Sequence, residues 1–101
     1  MLTLPIKKKW YDMIISGEKK EEYREVTQYY RKRFETIGLL DRYGLPTIAI
    51  QQVLLRNGYS ASARQAVVDV SLDIKPGIVE WGAESGKVYY VLRIEKIRSI
   101  S

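Results

Sequence analysis

The chain has 101 residues, of which 46% are hydrophobic and 29% are charged, with a formal net charge of +5 and a sequence pI near 9.5. This length predicts one globular domain over residues 1–101 that buries about 65% of the surface exposed by its unfolded chain. Because the chain has neither Cys nor His, disulfide frameworks, zinc sites and Ser-His-Asp or Cys-His catalysts are excluded, and no metal is predicted.

The N-terminal sequence and the hydropathy predict a cytoplasmic protein. The chain begins MLTLPI and only then continues KKK, which reverses the charged-then-apolar order of a signal peptide. No apolar run approaches the roughly 20 residues that span a bilayer, so no membrane partner is expected. Neither a Walker A loop nor a GxGxxG stretch is present, so no cofactor is predicted. The net positive charge leaves polyanions as candidate partners.

The N-terminal region predicts an extended segment followed by a helix. Residues 2–6 are expected to be extended, because Pro5 disfavours helical backbone at the residue before it. Within residues 7–16, apolar side chains recur at i, i+3 and i+4 from Trp10 onward, which predicts a helix. Gly17 follows at a position where a left-handed residue commonly ends a helix.

A charged segment and a second helix come next. Residues 19–25 alternate poorly as a helix face and follow a helix stop, so they predict a strand. Thr27 is a suitable N-cap for a helix over residues 28–36, because its side-chain oxygen accepts a backbone N–H. The run YYRKRF in this helix predicts either stacking on single-stranded nucleic acid or helix core with a solvated basic side.

The remaining sequence predicts strands. Residues 47–55 are rich in β-branched and apolar side chains, and Asn57-Gly58 marks a turn. Residues 66–74 alternate apolar and polar side chains, and residues 87–97 repeat this pattern. Helices followed by long strands predict an α+β fold, and long strands in so short a chain favour a strongly bent or closed sheet.

Residues 17–24 read GEKKEEYR and concentrate opposite charges directly after the first predicted helix. In a regular strand Glu22 and Arg24 share a face, whereas Lys19 has the opposite parity, so the three converge only if the chain bends near Lys19. Such a cleft suits a nucleotide: Arg offers a planar fork to phosphate, Lys a point charge and Glu an acceptor for exocyclic amines. The alternative is a solvated, salt-bridged strand.

The same run fits, position for position, the G-x-K-x-x-E-x-R signature of the ASCH domain family, which is related to the PUA-like fold. The sequence IKKKW at residues 6–10 is similar to the start of the family's helix, with Lys8 in place of the usual proline. RNGY at 56–59 and EWGAE at 80–84 resemble small single-domain members from bacteria and their phages. The resemblance implies a PUA-like small β-barrel of about five or six strands with two flanking helices.

The resemblance also implies binding of RNA or a nucleotide-like ligand in a cleft whose wall includes the motif. Trp81 is expected either to pack over the barrel end or to border this cleft. The residues expected to contact the ligand are Lys7, Lys19, Glu22, Arg24, Arg56, Tyr59 and Trp81.

Some small family members are hydrolases, so the alternative is a metal-independent amidohydrolase on modified nucleosides, or a ribonuclease. The amidohydrolase members have a threonine where this chain has Glu22. In the hydrolase alternative Glu22 is the general base, and Lys19 and Arg24 stabilise developing negative charge; Lys19 would act as nucleophile or base only with a strongly lowered pKa. A protein-interaction module is a third possibility.

Overall fold

A computed structural model describes residues 1–60 and 62–101 and shows an α+β protein, as predicted. The helices are α1 (Lys8–Ile15), α2 (Gln28–Thr36) and a short 3-10 helix (Val79–Trp81), and the strands are β1 (Leu2–Pro5), β2 (Glu21–Arg24), β3 (Gln51–Arg56), β4 (Gln65–Pro76) and β5 (Val88–Ile100). Within these described residues, no helix has the length and apolar composition needed to cross a membrane.

The five strands form one curled, half-barrel sheet in the order β1-β3-β4-β5-β2. β1 is parallel to β3 and the other neighbouring pairs are antiparallel. β4 and β5 pair from Ala66 with Ile100 to Pro76 with Val88, with two register shifts near Val68 that bend the strands. The order places β1 and β2 at the two edges, so the predicted barrel is a half-barrel.

The Arg24 side chain connects the two edges of this sheet. Arg24 Nη2 on β2 donates a hydrogen bond of 2.8 Å to the carbonyl oxygen of Pro5 on β1. The N–H of the same peptide unit, that of Ile6, donates to the Arg56 carbonyl oxygen at 2.9 Å, so this peptide unit bonds the end of β3 on one side and Arg24 of β2 on the other. The half-barrel is therefore closed at this point by a side chain.

The core lies between the sheet and the two helices. Tyr11 from α1 and Phe34 from α2 are fully buried, and the Phe34 ring meets Tyr90 of β5 edge-on at 5.5 Å between centroids. The alternation predicted for residues 66–74 is confirmed on one face, where four side chains are almost inaccessible: Ala66, Val68, Val70 and Leu72.

Two local predictions are confirmed and one boundary is wrong. Gly17 has a φ of +85°, and Thr27 Oγ1 accepts a hydrogen bond of 3.2 Å from the backbone N–H of Tyr30. The strand predicted from residue 47 begins only at Gln51. Thr47 instead bonds the turn after α2, because its hydroxyl donates to the Gly38 carbonyl oxygen at 2.7 Å.

Candidate functional site

Lys19 lies in the segment between α1 and β2, so its side chain does not follow the alternation of side chains along β2. Gly17 ends α1 with its left-handed φ, and the Lys19 N–H donates to the Met13 carbonyl oxygen at 2.9 Å. Lys19 is therefore still attached to the end of α1, and β2 begins only at Glu21. The chain therefore bends near Lys19, as is required for the side chains of Lys19, Glu22 and Arg24 to converge.

The side chains of Lys19, Glu22 and Arg24 meet in one ion cluster, called the motif cluster below. Glu22 Oε1 lies 3.3 Å from Lys19 Nζ, and Glu22 Oε2 lies 2.8 Å from Arg24 Nη2. The exposed fractions of the three side chains are 0%, 8% and 11%. Both carboxylate oxygens are thus engaged by cations, and the solvated-strand alternative does not describe this segment.

Lys19 connects the motif to a distant loop. Its ammonium donates to the carbonyl oxygen of Trp81 and lies 4.6 Å from the ring centroid of Tyr23 and 5.2 Å from that of Trp10. Burial lowers the pKa of Lys19, and the opposing attraction of Glu22 does not restore it. The ammonium is enclosed by aromatic rings and a carbonyl oxygen, so it fixes the position of the loop at Trp81.

Arg24 uses most of its hydrogen-bonding capacity within the protein. Besides Glu22 and Pro5, its guanidinium donates to the Tyr30 hydroxyl at 3.3 Å. Burial acts to lower the pKa of Arg24, but Glu22 and Tyr30 outweigh it and the pKa is raised. Among the described residues no hydrogen-bond partner is present for the buried Nε. Arg24 is therefore a permanent cation that links β1, β2 and α2.

A cleft of about 240 Å³ opens beside the motif cluster. Glu22 and Arg24 line it, whereas Lys19 does not, because its side chain is covered by the rings above it. Lys7 is exposed at the cleft, and no carboxylate of residues 1–60 or 62–101 lies within ion-pair distance of its ammonium. The lining residues are Pro5, Ile6, Lys7, Trp10, Glu22, Tyr23, Arg24, Trp81 and Gly82.

Both tryptophans of the chain line this cleft. Trp81 borders it, which decides between the two positions expected for that side chain. Trp10 also packs partly against the core, and sequence reasoning missed its position at the cleft; its spacing of three residues from Lys7 on one helix face was the available signal. Gly82 has a φ of +105°, and a Cβ there would lie 3.0 Å from Trp10 Cζ2, so the close approach of loop and ring needs glycine.

A second depression of about 400 Å³ lies next to the cleft. Tyr59, which is 87% exposed, lines it, whereas Arg56 lines neither depression. The Arg56 side chain instead donates from Nε to Gln65 Oε1 at 3.4 Å. The second depression is lined by Pro5, Ile6, Lys7, Asn57, Gly58 and Tyr59.

A larger groove of about 610 Å³ lies between β1 and α2. Tyr29, Lys32 and Arg33 line it, and the Arg33 guanidinium sits 4.3 Å from the Tyr29 ring centroid. Phe34 of the same run is buried in the core. The aromatic and basic run of α2 is thus divided between the core, this groove and Tyr30, whose hydroxyl accepts from Arg24 of the motif cluster.

The two residues predicted to be catalytic, Lys19 and Glu22, are both engaged within the protein. Lys19 is out of reach of a ligand and Glu22 has both oxygens engaged, so neither presents a free nucleophile or base. Their assignment as catalytic residues remains a prediction. In the part of the chain that the structure describes, no group of three acidic side chains is placed to hold a metal ion.

The chain matches no family model, no curated protein and no solved structure. The resemblance to the ASCH family therefore rests on the residues quoted above, and the site is interpreted from its own geometry.

Proposed function

We propose that this protein is a cytoplasmic, single-domain ASCH-like protein of PUA-like fold that binds RNA or a nucleotide-like ligand in the cleft beside the motif cluster. The observation that carries the proposal is the composition of the cleft. It combines two tryptophans, the exposed cation Lys7, for which residues 1–60 and 62–101 provide no ion-pair partner, and the polar edge of a buried ion cluster.

Each of these groups matches one part of a nucleotide. The aromatic side chains Trp10 and Trp81 border the cleft, and stacking of a base on an aromatic ring contributes about 1–3 kcal/mol. Lys7 supplies a point charge for phosphate. Glu22 is held in one orientation by its two cations, and each of its oxygens keeps a second lone pair that can accept from an exocyclic amine. In this proposal Lys19 acts indirectly, by fixing Glu22 and the Trp81 carbonyl.

Tryptophan fluorescence tests the proposal directly, because both tryptophans line the cleft. Titration with a short single-stranded RNA is expected to quench this fluorescence, with an affinity that weakens as salt is raised. Lys7→Ala is expected to weaken binding and to reduce the slope of log Kd against log salt by about 0.7. Lys96→Ala, which removes an exposed charge at the far end of β5, is the matched control.

Unchanged fluorescence with RNA, nucleotides and nucleosides would contradict the proposal, as would equal effects of the two lysine variants. The same samples are analysed for cleaved RNA and for deacylated nucleosides. Turnover that is lost in a folded Glu22→Gln variant would favour the hydrolase alternative instead.

A further inference from the structure

The segment 5–7 forms a wall of both depressions, since Pro5, Ile6 and Lys7 line the cleft and its neighbour alike. From this shared wall we infer that the site takes at least two successive nucleotides of an RNA strand. One base lies in the tryptophan cleft, the next lies against Tyr59, and Lys7 contacts the phosphodiester between them. The inference rests on the proposed function and specifies its ligand.

The sizes of the two depressions support two subsites. Pockets for small-molecule ligands measure about 300–1,000 Å³, and the cleft at about 240 Å³ falls below that range. The second depression measures about 400 Å³, and the two together fall well inside it. The volume of the cleft therefore suits a single base better than a whole nucleotide.

The end of β3 ties the second subsite to the first. The Ile6 N–H donates to the Arg56 carbonyl oxygen at 2.9 Å, which joins the segment that carries Lys7 to the end of β3, three residues before Tyr59. The Asn57 N–H donates to the Arg64 carbonyl oxygen at 2.8 Å and extends the pairing of β3 with β4 by one residue. Tyr59 is 87% exposed, so its ring face is available for stacking.

Lys7 is the group that lies between the subsites. It lines both depressions and carries an ammonium on a flexible stem, which suits a phosphate approached from either side. Arg24 lines only the cleft and is already occupied by Glu22, Pro5 and Tyr30. The phosphodiester that joins the two bases is thus assigned to Lys7.

The inference predicts that a dinucleoside monophosphate binds about tenfold more tightly than the matching nucleoside monophosphate. Charge alone predicts the opposite order, because the diester carries one negative charge whereas the monoester carries nearly two. Binding is measured by tryptophan fluorescence with both ligands. Tyr59→Ala is expected to remove the advantage of the dinucleotide, while Tyr59→Phe retains it.

Tyr43→Ala is the matched control, because Tyr43 is 69% exposed and lines neither depression; it is expected to leave both affinities unchanged. Equal affinity of the native protein for the two ligands, or an advantage that survives in Tyr59→Ala, overturns the two-subsite inference and leaves the proposed function standing. Failure of both ligands and of single-stranded RNA to bind overturns both.

Discussion

Replacing Glu22 with Gln is expected to lower the free energy of unfolding by about 3–5 kcal/mol. The substitution keeps the shape of the side chain but removes the negative charge that pairs with both Lys19 and Arg24 in the motif cluster. Removing one partner of a buried ion pair is costly because the other charge stays buried without compensation. Since small domains are stable by only about 5–15 kcal/mol, this loss is a large part of the total.

Urea unfolding, followed by far-UV circular dichroism, measures this effect. Glu18→Gln is the matched control: it makes the same chemical change in the same segment at an exposed position, and is expected to leave stability nearly unchanged. A loss below about 1 kcal/mol in Glu22→Gln is the value expected of a surface ion pair, and would show that the cluster is solvated.

Replacing Arg24 with Ala is expected to cost about 3 kcal/mol or more. Three acceptors lose their donor at once: the Glu22 carboxylate, the Pro5 carbonyl oxygen and the Tyr30 hydroxyl. Because the bond to Pro5 joins the two edges of the sheet, amide hydrogens of β1 and β2 are expected to exchange faster in this variant.

Arg24→Lys tests whether the planar guanidinium is required. An ammonium is a point charge that lacks the fork geometry, so this variant is expected to recover only part of the lost stability. Arg93→Ala, at an exposed position of β5, is the control for loss of a positive charge. Full stability of Arg24→Lys, with native exchange in β1, would show that the edge-to-edge bond contributes nothing.

These two predictions give the motif a structural role beside its proposed functional one. Each fixed position of the G-x-K-x-x-E-x-R pattern has a structural role here. Gly17 turns the chain and Lys19 holds the loop at Trp81. Glu22 lies between two cations, and Arg24 joins the edges of the sheet. Only the glutamate and the arginine reach the cleft. The motif therefore holds the walls of the proposed ligand site together as well as lining it.

The sequence predicted those structural elements that depend only on residues close together in the chain. The helix over residues 7–16, its left-handed end at Gly17 and the cap at Thr27 follow from backbone preferences that a few neighbouring residues express. The buried face of β4 follows from the apolar residues at every second position from Ala66, which leave one register compatible with a core on that side. The α+β class follows from the order of these elements.

The geometry of the site depends on contacts between residues far apart in sequence. The Lys19 ammonium meets the carbonyl oxygen of Trp81, a separation of 62 residues, and no local pattern specifies that pairing. The link between Arg24 and Pro5 needs the sheet to curl until its edges meet. The late start of β3 has the same origin, because Thr47 bonds a turn that precedes it by nine residues.

Heteronuclear NMR of the 15N-labelled protein, titrated with a short single-stranded RNA, tests the proposal that RNA binds in the cleft between the two tryptophans. Trp10 and Trp81 are the two tryptophans of the sequence and give its two indole N–H signals. If RNA occupies the cleft, both indole signals and the Lys7 amide are expected to shift together. Shifts confined to Tyr29 and Lys32 at the α2 groove, or no shifts at all, would contradict it.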